Sequence, residues 1–454
     1  MKISSGGLMT RNIPKEVKAL FAALQLRGGH TEQLHCLNDS EWESLLSFCE
    51  RSYLTFALLQ LQDDGFPGWA GERLKNNAAD NAKRFERVRA TYKEVAATLE
   101  GSDIQFVLMK GFSKCPEYVL DPRLRMQGDI DLYCPAGEIH RACSALSTIG
   151  YYPDQAGDYD AADHLPTLFR DEGWTWHGEA FDPQMPLPVE LHFCLWNETA
   201  FRFSVPELDR FWERRVLRSL EDLTFPAFCE IDSLGYYAIH ALRDLLDGHL
   251  TLHHAYDIAV FLHRHAEDSA LWASWLELHG DTLRSMQAIA FGVAKTWFDC
   301  NTSPEVQTEI DNLPLAIKNW LRSFVYSPLE SMFHPNKDRV WLHLSLLNSL
   351  KEKQFILRKV LWPARIPPVE TTAAGFDEYG QPRKDWPTQQ LVRYLFYLVS
   401  RTVHHTRVLP PALWHGFRWW ASQRELSRQF WIFLASAFFL TWACPFISCY
   451  LISS

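Results

Sequence analysis

Apolar positions near the start of the chain recur at helical spacing, through Val17, Leu20, Phe21 and Leu24. A second helical run through Trp42, Leu45, Leu46, Phe48 and Cys49 follows the cap signal Asn38-Asp-Ser40. Residues 14–62 therefore read as helices, and a charge-rich amphipathic stretch over 78–100 reads as one more, containing Asn81-Ala-Lys-Arg-Phe-Glu-Arg-Val-Arg-Ala90. The pattern then shortens and alternates. It predicts a strand over 104–109, a helix over 112–119, a strand over 129–134 and a helix over 136–149 that stops at Gly150. Residues 151–188 are rich in Pro and Gly and predict a looped region with short strands near 167–169 and 174–176. A further strand follows over 188–194. Helical periodicity returns over 206–360, clearest at 236–246, 253–265, 271–278 and 286–298, and a proline-rich linker follows near 362–386. The predicted organisation is an N-terminal helical region (14–100), a core (101–270), a helical region (271–361), a linker (362–387) and a C-terminal segment (388–454).

The chemistry sits on two of the predicted strands. In Gly128-Asp-Ile-Asp-Leu-Tyr-Cys134 and Pro188-Val-Glu-Leu-His-Phe193 the carboxylates alternate with apolar residues, as on strands with one face in a core and one toward a site. Asp129 and Asp131 then point the same way while Ile130 and Leu132 pack inward, and Glu190 supplies a third carboxylate if its strand lies alongside. Carboxylates held this close repel unless a cation lies between them, and oxygen-only ligands suit Mg²⁺ or Mn²⁺. Such ions bridge the phosphates of a nucleoside triphosphate and activate an acceptor hydroxyl. Lys110-Gly111 upstream fits beside them, the glycine letting backbone approach a phosphate and the lysine acting as a point charge. A bare Asp-x-Asp is weak evidence. Asp158-Tyr-Asp160, among Gly157, Ala161 and Ala162, has no apolar frame and reads as solvated loop.

Leu108-Met-Lys-Gly111, Tyr118, Arg125, Gly128-Asp-Ile-Asp-Leu132 and Val189-Glu-Leu-His192 together resemble the bacterial uncharacterised nucleotidyltransferase family. That family is a branch of the polymerase-β-like nucleotidyltransferase superfamily, and the resemblance covers residues 80–270. It implies an α+β fold, with a small mixed sheet flanked by helices between N-terminal helices and a mostly helical C-terminal region. It also implies that Asp129 and Asp131 are the first metal ligands and Glu190 the third carboxylate. The superfamily's usual Gly-Gly or Gly-Ser turn is Lys110-Gly111-Phe112-Ser113 here. The family has no single established substrate, so the reaction class follows more firmly than the acceptor.

The chain has 454 residues, enough for two or three modules, and its net charge of −10 argues against broad duplex nucleic-acid binding. Its ten cysteines form no Cys-x-x-Cys pair, so the expected compartment is a reducing cytosol. The start, Met1-Lys-Ile-Ser-Ser, lacks the apolar core of a secretory signal. Residues 429–454 carry no charge and follow Arg393, Arg401, Arg407, Arg418, Arg424 and Arg428. That arrangement predicts a membrane anchor holding the bulk of the chain on the cytoplasmic side of the inner membrane, with a buried core helix as the alternative.

Other constellations carry less. His240, His249, His253, His254 and Asp257 form a His-rich stretch in which His249 and His253 have zinc-chelating spacing, but Leu250 stands where a metalloprotease has Glu, so beside a zinc site the stretch reads as a helix bordering the cleft or as ordinary histidines. Arg123 and Arg125 read as a phosphate fork or as a turn with Asp121 and Pro122. His192 shares the face of Glu190 and orients a ligand or packs as a strand histidine. The expected activity is transfer of a nucleoside monophosphate from an NTP, expected to be ATP, to an unidentified acceptor hydroxyl with release of pyrophosphate. Lys110, Gly111, Ser113 and Arg125 are the expected phosphate contacts. The rivals are a non-catalytic nucleotide-binding scaffold and a toxin- or antitoxin-like module acting on RNA or protein.

Overall fold

The structure is a computed structural model and describes residues 12–61, 65–153, 163–248, 252–361 and 387–423. The start of the chain, Asp158-Tyr-Asp160, His249, the linker at 362–386 and the uncharged stretch 429–454 lie outside the described residues.

Four helices open the chain: α1 (Lys15–Ala23), α2 (Glu32–His35), α3 (Asp39–Ser52) and α4 (Thr55–Leu59). Asn38 caps α3 as its spacing predicts, its side chain accepting from the Glu41 N–H while Glu41 accepts from the Asn38 N–H. The long helix α5 (Gly68–Gly101) starts ten residues before the predicted 78–100. The core follows with β1 (Val107–Leu108), β2 (Ile130–Tyr133), α6 (Ile139–Ser147), β3 (Tyr152–Pro153), β4 (Leu168–Phe169) and β5 (Val189–His192). Beyond it come α7 (Glu198–Phe201), α8 (Arg210–Glu213), β6 (Val216–Leu220), β7 (Leu223–Ala227), α9 (Glu230–Asp247) and α10 (Leu252–Arg264). Helices α11 (Ser269–Leu278), α12 (Asp281–Phe298), α13 (Pro304–Asn312), α14 (Leu315–Phe324), α15 (Ser327–Ser331), α16 (Arg339–Leu346) and α17 (Leu350–Leu361) complete the helical body. Helix α18 (Pro387–Ala421) docks on it through the Trp419 indole, which donates to the Ala316 carbonyl at 3.0 Å. Among the described residues no helix is long and apolar enough to cross a membrane.

The five-stranded sheet has the order β1-β2-β5-β4-β3 and is mixed, β2 and β5 running parallel and the other pairs antiparallel. The expected α+β fold, a small mixed sheet with flanking helices, is what the chain adopts. Alternation along the strands separates two cores. Ile130, Leu132, Val189 and Leu191 bury against Phe85, Val88 and Val95 of α5 and Ala142 and Leu146 of α6. Tyr133, on the opposite face from Ile130, packs on the larger helical core built by α9, α10 and α12. Asp131 shares the Tyr133 face by the period of two, so its carboxylate lies on the side toward those helices.

Four details depart from expectation. The predicted 112–119 helix is a single 3₁₀ turn, Gly111–Lys114, with Pro116 following at once. Residues 174–176 form no strand, and the Trp174 indole donates to Asp182 at 2.6 Å instead. The 206–360 stretch is interrupted by the β6-β7 hairpin, whose Leu223, Phe225 and Ala227 bury against the α5 core. Asp129 precedes β2 rather than lying within it.

Arg84 of α5 ties the site's framework together. It is 1% exposed, and it donates to the carbonyl oxygens of Gln127 at 2.9 Å, Met185 at 2.7 Å and Gly128 at 3.3 Å, in the two loops that lead into the acidic strands. Burial, with Arg87 beside it, pulls its pKa down to about 10, so it stays charged. Arg84→Met removes these donors and leaves buried carbonyls unpaired, and is expected to cost about 3 kcal/mol in urea unfolding. A loss under about 0.5 kcal/mol would show that the two loops are held by something else.

Candidate metal and phosphate site

The pairing of β2 with β5 sets Asp131 directly opposite Glu190. Neighbouring strands in a sheet lie about 5 Å apart, so the register alone brings these two carboxylates within reach of one cation. Ligand atoms of Asp131, Glu190 and His192 all lie within 4.8 Å of one another. Asp129, one residue before β2, stands outside that group of three but close enough to Asp131 to feel its charge. Its carboxyl is pushed well above the usual carboxylate range, first by burial and then by the charge of Asp131.

Two cations balance part of this charge. Lys110 Nζ meets Asp131 Oδ1 at 2.6 Å, and His192 Nε2 lies 3.2 Å from the same oxygen and 3.5 Å from Glu190 Oε2. Burial alone would raise Asp131, but Lys110 and then His192 hold it far below its ordinary value. His192 is itself buried; burial opposes its charge, yet Asp131, Asp163 and Glu190 around it raise its pKa to about 10. Behind it, Asp163 Oδ2 is 3.6 Å from His192 Nδ1 and is paired with Arg243. Glu190 keeps a side chain about one-fifth exposed and accepts from the Thr167 hydroxyl at 3.3 Å.

The Lys110-Gly111 turn is built as its glycine suggests. Gly111 has φ +65°, and an added Cβ would lie 2.3 Å from the Gln127 side chain, so only glycine fits. That glutamine accepts from the Phe112 N–H at 3.2 Å and donates to the Asp129 carbonyl at 2.8 Å, joining the turn to the acidic loop.

A cleft of about 280 Å³ opens over these groups, lined by Lys110, Gly111, Arg125, Asp129 and Asp131 on one side and by His240, Arg243 and His254 on the other. Of the expected phosphate contacts, Lys110, Gly111 and Arg125 line it. Ser113 does not: it is buried, and its hydroxyl donates to the Lys110 carbonyl at 3.0 Å. Arg125 donates to Asp257 Oδ2 at 2.7 Å, and the fully buried Lys114 meets the same oxygen at 2.9 Å while sitting 4.0 Å over the Tyr237 ring. Burial, with Arg125 beside it, draws the Lys114 pKa down to about 7. Arg123 turns away from the cleft and pairs with Glu221 at 2.6 Å, so the fork of Arg123 and Arg125 does not form.

The histidine-bearing helices border the cleft, which is one of the readings their sequence offers. His240, Asp244 and His254 approach within 4.8 Å of one another. The Arg243 guanidinium is in contact with His240 and 3.5 Å from Asp244, which opposes a second cation there. Burial first, then Arg243 for His240 and Lys114 for His254, holds both imidazoles well below their ordinary pKa and therefore neutral. Sequence reasoning missed Asp163, Lys114, Arg84 and Arg243. Of these, Arg84 lay in the charge-rich stretch of α5, where only its buried spacing against Phe85 and Val88 set it apart.

The donor set fits a hard divalent cation. Oxygens of Asp131 and Glu190 come within 4.8 Å of each other, and Asp129 adjoins Asp131 without an ion-pair partner of its own among the described residues. The sequence profile of the uncharacterised nucleotidyltransferase family matches residues 38–299, which spans all of these groups. No curated protein and no solved structure matches the chain. With the match extending over more than half of its length, the chain belongs to the uncharacterised nucleotidyltransferase family and is a nucleotidyltransferase.

Proposed function

We propose that the chain transfers a nucleoside monophosphate from an NTP, ATP being the expected donor, to an acceptor hydroxyl, with Asp129, Asp131 and Glu190 holding Mg²⁺ or Mn²⁺. The observation that carries this reading is the register of Asp131 against Glu190 across the parallel strand pair, with Asp129 adjoining. A divalent ion held there supplies charge for the developing oxyanions of an in-line phosphoryl displacement. The chain's own groups do the rest. Lys110 and Arg125 stand at the cleft wall, where their cations meet the triphosphate. His192 spaces Asp131 from Glu190 and keeps both aimed into the site, while Arg243 and Asp163 fix His192 from behind. Glu190, the more exposed carboxylate, polarises the acceptor O–H. The acceptor oxygen then bonds to the α-phosphorus as the bond from that phosphorus to the α–β bridging oxygen breaks, the hydroxyl proton passing to Glu190 and pyrophosphate leaving.

Arg125 reaches the cleft because Asp257 holds it, and Lys114 holds Asp257 from the core. The uncharged stretch 429–454, preceded by arginines, supports anchoring of the enzyme at a membrane.

With labelled ATP, Mg²⁺ and a cell extract as acceptor source, the chain is expected to release pyrophosphate in a metal-dependent way. Asp129→Asn and Asp131→Asn should lower that release by about a thousandfold while leaving the fold intact. Full retention of transfer in either variant rejects the assignment, and ATP binding without turnover in the unaltered chain favours the scaffold reading. Separately, Asp257→Ala leaves Lys114 and Arg125 as uncompensated buried charges and is expected to cost about 3–5 kcal/mol in denaturant unfolding. A change below about 1 kcal/mol would show that Lys114 does not depend on Asp257 for its charge.

A further inference from the structure

A second pocket of about 240 Å³ adjoins the cleft, and Tyr53, Arg125 and His253 line both. The two compartments differ in chemistry. The cleft presents Lys110, Arg125 and Arg243 around acidic groups, whereas the pocket adds apolar and aromatic walls from Phe56, Leu124, Tyr256 and Val260, with Asp121, Asp257 and Arg264 also in its lining. At the junction the Tyr53 and His253 rings lie 4.9 Å apart with a 41° tilt. Tyr53 closes α3 in a left-handed conformation, φ +60°, which a bulky residue adopts only when the surroundings hold it there. Its hydroxyl also lies beside Gly128, next to Asp129: a Cβ on that glycine would be 3.9 Å away. Burial, then the neighbouring His254, holds His253 well below its ordinary pKa, so its ring is neutral.

We propose that this pocket takes the nucleobase of the NTP, on the reading of the cleft as its triphosphate site. A nucleoside triphosphate has the same two halves in the same order, a polyanion joined through ribose to a flat aromatic group. The base stacks on Tyr53 and His253, since every base presents a π face to an aromatic platform. Gln60 in the lining offers the paired amide donor and acceptor that a base edge requires. The phosphates remain over Lys110 and the acidic strands. Tyr53 and His253 are therefore binding residues for the donor nucleotide.

Titration calorimetry with Mg²⁺, using ATP and inorganic tripolyphosphate in parallel and no acceptor, separates the two halves. The unaltered chain is expected to bind ATP about tenfold more tightly than tripolyphosphate. Val260→Trp, which fills the pocket, should bring ATP affinity down to that of tripolyphosphate and leave tripolyphosphate affinity unchanged, the latter also reporting that the variant is folded. Tyr53→Ala removes the platform without adding bulk and should act in the same direction. ATP affinity undiminished in both variants overturns the proposal, including the case where transfer alone is lost because the pocket holds the acceptor. No binding of either ligand to the unaltered chain overturns the triphosphate reading of the cleft, and the nucleobase pocket with it.

Discussion

Repulsion between the buried carboxylate of Asp131 and the half-buried carboxylates of Asp129 and Glu190 is the constraint around which the core is arranged. One strand register sets Asp131 against Glu190, with Asp129 one residue before the strand, and a protein interior makes such a gathering costly unless positive charge is placed with it. The chain supplies Lys110 and an imidazolium at His192, both directed at Asp131. Asp129 is the member left raised, and under the proposed function a divalent ion supplies the charge that settles it. Stability and the proposed chemistry therefore draw on shared residues: Lys110, which makes the buried Asp131 tolerable in the fold, also lines the cleft.

The rest of the molecule holds this arrangement from two sides. Helix α5 reaches beneath the sheet, burying its apolar stripe under Ile130 and Leu132 while Arg84 ties the loops that enter β2 and β5. Helices α9 and α10 close the other side, bringing Arg243 to Asp163 and Asp257 to Arg125. Each wall thus carries apolar packing together with a buried charge, hydrogen-bonded to carbonyls on the α5 side and ion-paired on the other. Charged groups so deeply placed add little net stability, but removing one partner strands the other, which makes the geometry single-valued.

The acidic strands were legible because a half-buried strand beside a site leaves a period of two that few other structures produce, and Asp131 with Glu190 fell on it. Gly111 was legible because a positive φ demands glycine. Asp163 was not, since it lies in an irregular segment and reaches His192 only through a bridge between His164 and His192 that no local pattern encodes. Lys114 was hidden by its own type. A lysine reads as solvated, and its burial depends on Asp257, 143 residues further on. The β6-β7 hairpin was masked by Pro226, a residue that argues against a strand, although Leu223, Phe225 and Ala227 alternate as a strand should. Ser113 was placed at the phosphates by analogy with a glycine-serine turn, whereas the 3₁₀ turn directs its hydroxyl onto the Lys110 carbonyl.

Direct binding of Mn²⁺, followed by electron paramagnetic resonance as the ion is titrated into the chain, tests the convergence of carboxylates on a cation without requiring any substrate. The account predicts that Glu190→Gln, which keeps the shape of the side chain and removes its charge, weakens Mn²⁺ binding by about tenfold or more relative to the unaltered chain. Equal Mn²⁺ affinity in the two proteins would contradict it.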